Sequence, residues 1–171
     1  MSSLFQGHPE MPNFNGSPFI IGVIGGSICS DEDRTAAETV GRLIAKRKGL
    51  IICGGLGGVM EAVCKGASEE GGLTIGILPG ARIEEANPYV SIPIATGMGI
   101  GRNIIIVRTA RSVIAIGGKY GTLSEIAYAL QLGLPVFTLN SWNVIPGVIP
   151  VTTPEEAVDR AFAWHLQHGD E

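Results

Sequence analysis

Short apolar runs that each end in a glycine turn and lead into an amphipathic helix recur along the chain, and few folds are compatible with that alternation. Phe19–Ile24 has strand length and is closed by Gly25 and Gly26. Ser30 and Asp33 have the spacing of a capping box, and beyond them Ala36, Val40, Leu43 and Ile44 form an apolar helix stripe ended by Gly49. Leu50–Cys53, the loop Gly54–Gly58 and a helix lined by Val59, Met60, Val63, Cys64 and Ala67 repeat the unit before Gly71 and Gly72. Leu73–Leu78 is a third strand ending at Pro79 and Gly80; residues 81–88 read as loop, Tyr89–Ile94 as a fourth strand and residues 100–110 as a helix. Ser112–Ile116 is a further apolar strand. It is followed by the loop Gly117–Gly121, a helix over Thr122–Leu132 stopped by Gly133, and a strand at Pro135–Leu139. Thr153 caps a final helix, with Pro154 in its first turn and Glu156 at the reciprocal capping position; its apolar side includes Val158, Ala161, Phe162, His165 and Leu166.

Apolar strands alternating with amphipathic helices require a sheet covered on both faces. The expectation is an α/β fold: a single doubly wound Rossmann-like domain with a mostly parallel sheet flanked by helices. Its length of 171 residues suits one core, placed at 18–171, with residues 1–17, which hold two prolines, two asparagines and two glycines, as a flexible N-terminal tail. Sixteen acidic against twelve basic residues, with no basic tract, argue against nucleic acid as a partner. A charged fraction of only 16% beside 45% hydrophobic residues points to helix surface buried in a homodimer or homotetramer. Cys29, Cys53 and Cys64 form neither a CxxC pair nor an even disulfide framework and suit a reducing, cytoplasmic location. The apolar runs are of strand length and broken by glycine, which disfavours membrane spanning.

Ligands of such sheets bind at the carboxyl ends of the strands, the edge to which the glycine loops belong. Gly22, Gly25 and Gly26 do not complete a GxGxxG fingerprint, and Lys119 is not followed by the residues of a Walker loop, so neither a dinucleotide fold signature nor a P-loop is present. The candidate binding positions are instead Gly25 and Gly26 after the first strand, Gly55, Gly57 and Gly58 after the second, and Gly117, Gly118, Lys119, Gly121 and Thr122. Backbone N–H groups at helix starts cradle anions, and Lys119 and the Thr122 hydroxyl add contacts to phosphate oxygens. Each loop is also explicable as a tight strand-to-helix turn. Thr122 and Glu125 likewise have capping-box spacing, which would occupy Glu125 in holding its own helix rather than in chemistry. Arg102 lies near a helix start, where a cation is disfavoured by roughly 0.3–1 kcal/mol unless an anion compensates, with Asn103 as a second polar contact or cap. Arg82 is a secondary contact or a solvated charge, Tyr120 and Trp142 an aromatic surface for a heterocycle or a subunit contact, and His165 and His168 are structural or solvent-facing. No metal-ligand constellation is present in the sequence.

Four segments together resemble the LOG-like (lysine-decarboxylase-like) Rossmann superfamily, in particular the branch that contains the molybdenum cofactor carrier proteins. They are Gly54–Glu61, Gly76–Gly80, Gly101-Arg102-Asn103 and Gly117–Glu125, within a likeness covering residues 19–165. The resemblance implies binding and protection of a phosphate-bearing ligand, the pyranopterin phosphate of molybdenum cofactor. Its alternative implication is hydrolysis of a nucleoside 5'-monophosphate to free base and ribose 5-phosphate. In that case Arg102 and Glu125 match the two catalytic positions. Gly117 and Lys119 stand where the hydrolase motif has proline and its second glycine, and Gly101-Arg102-Asn103 is similar to the carrier form.

Overall fold

The computed structural model describes residues 19–168; the tail assigned to residues 1–17 and the side chain of His168 lie outside the described residues. Seven strands alternate with five helices: β1 Ile20–Gly25, α1 Asp31–Lys46, β2 Leu50–Cys53, α2 Val59–Glu69, β3 Thr74–Leu78, β4 Ile92–Ala95, α3 Asn103–Thr109, β5 Ser112–Ile116, α4 Tyr120–Gln131, β6 Val136–Leu139, β7 Ile149–Pro150 and α5 Pro154–His168. Short 3-10 turns occupy Ile83–Glu85 and Gly99–Arg102. All pairs are parallel and the spatial order is β4-β3-β2-β1-β5-β6-β7. The doubly wound α/β architecture expected from the sequence is therefore the one formed.

Alternation along the strands sends side chains to two separate cores. Ile21, Val23, Ile114 and Ile116 join α1, α2 and α5 on one face, while Ile24, Val113 and Ala115 join α3 and α4 on the other. All five residues of β5 are buried, as suits the strand beside β1 in the middle of the sheet.

Several boundaries differ from the sequence reading. The fourth strand begins at Ile92 rather than Tyr89, because the preceding residues are tied down by side chains. Asn87 accepts from the Tyr89 N–H at 3.1 Å and donates to the Leu56 carbonyl at 2.9 Å, and the Tyr89 carbonyl accepts from the Thr74 hydroxyl at 3.0 Å. The helix at 100–110 divides into the 3-10 turn and α3. The edge strand β7 has no periodic signal in two residues, and Pro150 is tolerated there because an edge leaves a missing N–H without cost.

The helix caps follow the sequence in part. Ser30 accepts from the Asp33 N–H at 3.1 Å and Thr153 from that of Glu156 at 3.1 Å. The Glu156 carboxylate reaches one residue further back than a capping box requires, to the N–H and hydroxyl of Thr152 at 2.9 and 3.1 Å. His165 stacks on Phe19, with ring centroids 4.3 Å apart, which makes it a packing residue.

Helices α1 and α2 approach closely because each presents a glycine to the other. A Cβ on Gly41 would strike the Val63 carbonyl, and one on Gly66 the Glu38 carbonyl. Ion pairs Lys65–Glu38 at 2.9 Å and Arg42–Glu69 at 2.7 Å span the same seam, but partly exposed pairs contribute only about 0–1 kcal/mol. Overpacking a core costs about 1–3 kcal/mol, so steric fit at the two glycines outweighs the charges. Urea denaturation of Gly66→Ala and Gly41→Ala should therefore show losses of roughly 1–3 kcal/mol each. Alanine, the better helix former, would be neutral or stabilising if the helices were not in backbone contact.

Candidate functional site

The chain reverses its direction of winding at β1, whose neighbours are β2 on one side and β5 on the other. At such a switch point the loops leaving adjacent strands part and leave a crevice. Here it is a cavity of ≈ 300 Å³. Its lining combines the end of β1 and the loop after it (Gly25, Gly26, Ser27, Ile28), the loop before α2 and that helix's first turn (Gly54, Leu56, Met60), the turn before α3 and its first residue (Ile100, Arg102, Asn103) and the start of α4 (Lys119, Gly121, Thr122, Glu125).

Arg102 is only 8% exposed although it carries a full charge. Its Nε donates to the Ile77 carbonyl at 2.8 Å and its Nη1 to Asn103 Oδ1, so two neutral oxygens hold it in place. Asn103 is held in turn by Ser124, whose hydroxyl accepts from Nδ2 at 3.3 Å and donates to the Gly121 carbonyl at 2.6 Å. No carboxylate forms an ion pair with Arg102 among the described residues. Burial lowers its pKa, with Glu125 and Cys53 opposing the change. A guanidinium stays protonated under any ordinary condition, so the site holds a buried positive charge whose natural complement is an anion.

The beginning of α4 adds to this. Lys119 occupies the N-cap and makes no capping bond, the first turn contains no acidic residue, and the N–H groups of Tyr120, Gly121 and Thr122 have no partner among the described residues. The start of α2 is likewise without a side-chain cap at Gly58.

Glu125 departs from its capping-box reading. Because α4 begins at Tyr120, Thr122 lies inside the first turn, and Glu125 is one turn too far along to reach the helix start. Gly117 and Gly118, with φ of 52° and 88°, complete the turn before the helix, and Thr122 packs against Gly118. Glu125 is 6% exposed, lines the cavity and makes no hydrogen bond among the described residues. Burial lifts its pKa to about 8, against a smaller lowering by Arg102. At neutral pH the carboxyl is protonated, and the local charge from Arg102 is not cancelled.

Of the positions singled out from sequence, Gly25, Gly26, Arg102, Asn103, Lys119, Gly121, Thr122 and Glu125 line the cavity, whereas Gly55, Gly57, Gly58, Gly117 and Gly118 do not. Those glycines pack protein against protein. A Cβ on Gly55 would meet Leu78 at 2.8 Å, one on Gly57 Ser27 at 3.4 Å and one on Gly58 the Gly26 carbonyl; one on Gly117 would meet Asp33 at 2.5 Å and one on Gly118 Thr122. Gly54 takes their place, since a Cβ there would lie 2.6 Å from Arg102 Nη2. Ser27, Ile28, Leu56, Met60 and Ile100 also line the cavity, although the sequence singled none of them out as a binding position. Arg82 is solvated and pairs with Glu84 at 3.8 Å. Trp142 packs beside the second core and donates to the Lys119 carbonyl at 3.3 Å, bracing the α4 loop, while Tyr120 is 80% exposed. Burial raises the Cys29 thiol pKa, which leaves it less reactive.

The model of the SLOG cluster4 family matches residues 18–161. A protein of Archaeoglobus fulgidus, itself uncharacterised, is 49% identical over 139 residues, 81% of this chain and 91% of its own length. Among solved structures, the molybdenum cofactor binding protein of Rippkaea orientalis superposes with a TM-score of 0.82 at 34% identity, covering 86% of this chain and 97% of the other. The molybdenum cofactor carrier protein of Chlamydomonas reinhardtii does so with a TM-score of 0.77 at 31% identity, over 85% and 99%. DNA processing protein A of Streptococcus pneumoniae, at 19% identity and a TM-score of 0.68 over 83% and 61%, shares the fold alone. No helix among the described residues is long and apolar enough to cross a membrane.

The state of Glu125 has a measurable consequence for the unliganded protein. The folded chain keeps this proton up to about pH 8, whereas the unfolded chain releases it near the usual 4.5. The stability associated with the raised pKa is thus fully present below 4.5, declines as pH rises, and is lost above about 8. Chemical denaturation of wild type and Glu125→Gln across this range should give a difference in unfolding free energy that changes by on the order of 5 kcal/mol, the glutamine variant becoming relatively more stable at alkaline pH. A constant difference would mean that the carboxyl titrates normally.

Proposed function

The chain belongs to the SLOG cluster4 family, and from that premise we propose that it binds and protects a phosphate-bearing cofactor in the manner of a molybdenum cofactor carrier. The observation that carries the reading is the convergence, in one cavity, of a buried arginine with no carboxylate partner among the described residues and an uncapped helix start. Arg102 and the first-turn amides of α4 hold the phosphate, with Lys119 as a further cation at the mouth. A guanidinium and backbone N–H groups are strong, directional donors to phosphate oxygens, and their rigid anchoring means little ordering is required on binding. The volume of ≈ 300 Å³ is at the lower end for small-molecule sites. Leu56, Ile28 and Ile100 give the rest of the ligand an apolar wall. The likeness to the cofactor binding protein of Rippkaea orientalis and the carrier protein of Chlamydomonas reinhardtii supports the same ligand class. The molybdenum would arrive on the pyranopterin as cargo, without protein ligands.

One observation favours a second reading, hydrolysis of a nucleoside 5'-monophosphate: Glu125 is a buried carboxyl facing the cavity with no hydrogen bond among the described residues to occupy it. In that reaction the phosphate contacts fix the nucleotide, and Glu125 orients water or stabilises positive charge on the ribose as the N-glycosidic bond opens. Oligomerisation into a dimer or tetramer and a cytoplasmic location complete the proposal, on the low charge fraction and the unpaired cysteines noted above.

Under anaerobic conditions, native mass spectrometry should detect molybdenum cofactor on the wild-type protein, and Arg102→Met should bind it about 10- to 100-fold more weakly, the usual effect of losing a charge-assisted hydrogen bond. Equal binding by a folded Arg102→Met would remove this cavity from the assignment. Chromatography after incubation with AMP separates the readings: adenine released by wild type but not by Glu125→Gln would establish the hydrolase, and no release favours the carrier.

A further inference from the structure

We propose that the cavity binds a phosphomonoester with Glu125 in its protonated form, the carboxyl donating a hydrogen bond to the ligand, so that binding takes up a proton wherever the free carboxyl is ionised. The inference rests on the reading of the cavity as a phosphate site and adds a coupling to it.

Glu125 faces the cavity that contains Arg102, yet the two side chains form no ion pair. Arg102 is directed instead to the Ile77 carbonyl and to Asn103. Glu125 also accepts no hydrogen bond from any described residue. The strands β1, β5 and β6 that pack against α4 carry no ionisable side chain. From α3 and its preceding turn the charged groups are Arg102 and the exposed Arg108; Cys53 contributes a thiol from the end of β2, and Lys119 and Tyr120 are exposed at the loop. Arg102 is the one charge among these that acts on Glu125, and it does not overcome burial.

An incoming phosphate brings negative charge into a cavity that already contains this carboxyl. An ionised Glu125 would repel it at short range in a poorly solvated site, whereas a protonated one supplies an O–H donor to an acceptor oxygen. Bound anion and Glu125 proton therefore favour one another, and linkage requires ligand affinity to fall as the free protein loses that proton. The consequence is a site that holds its ligand at neutral pH and loosens it in alkali, with the weakening setting in at about pH 8.

Isothermal titration calorimetry with AMP as the probe tests this, since a phosphomonoester completes its own ionisation near pH 6. Affinity should weaken about tenfold between pH 7 and 9, and at pH 8.5 binding in buffers of different ionisation enthalpy should reveal uptake of roughly three quarters of a proton. Glu125→Gln should abolish both the uptake and the pH dependence. The wild-type buffer comparison stands by itself if that variant does not fold. Affinity constant from pH 7 to 9 without proton uptake overturns the proposal, as does pH dependence that persists unchanged in the folded glutamine variant. Failure of AMP to bind at any pH also overturns it, and is distinct from failure of the carrier reading, which binding of molybdenum cofactor itself decides.

Discussion

The pairing of β1 with β5 is the contact on which the rest of the molecule depends. Its register runs from Ile21 opposite Ser112 to Gly25 opposite Ile116, so both strands end at the same level. The loops that follow are thereby brought together, and their mutual approach is set by missing side chains. A Cβ on Gly25 would lie 2.6 Å from Val59, and one on Gly26 would lie 3.8 Å from the Gly118 Cα. The Val59 N–H donates to the Gly26 carbonyl at 3.0 Å, which ties the start of α2 to the first loop. Two helix starts and one glycine turn thus share a crevice because two strands share a register.

That geometry explains how a chain with four more acidic than basic residues can present the proposed anion site. Net charge governs solubility and long-range steering, whereas affinity is decided by the few groups inside the crevice. Burial affects those groups unequally. It lowers the pKa of Arg102 without discharging it, but it shifts Glu125 far enough to make the carboxyl neutral at pH 7. The low dielectric that would make a carboxylate and a guanidinium attract strongly also removes the carboxylate when the two are not in contact.

The fold was legible because its signals are local. Apolar runs of strand length, glycine turns and helix stripes announce themselves within windows of ten or so residues, and they located every element except the two-residue β7, with the starts of β4, α3 and α4 displaced. The site was legible only in outline. Arg102, Asn103 and Glu125 could be named from their motifs, but the separation of Gly25, Gly26 and Gly121 from Gly55, Gly58, Gly117 and Gly118 depends on what stands opposite each missing Cβ, and that is a tertiary property. The capping-box reading of Thr122 and Glu125 failed for a related reason. Two successive left-handed glycines shorten the turn, start α4 two residues early and rotate Glu125 from the helix end into the cavity.

The two functions weighed for this chain make different demands on the same carboxyl. A carrier needs Glu125 protonated while ligand is bound, so that the phosphate meets a donor and no competing charge. A hydrolase that uses Glu125 to stabilise positive charge on the ribose needs it ionised at that moment, which requires a ligand-bound pKa at or below the working pH. Bound phosphate moves the pKa in the opposite direction, because a second negative charge in the cavity disfavours the first. Starting from about 8, that displacement favours the neutral carboxyl still further. An enzyme built on this site would therefore either work at alkaline pH or use Glu125 as a proton donor to the departing base. The electrostatics of the cavity, a buried guanidinium beside a neutral carboxyl, thus favour the proposed carrier over the hydrolase.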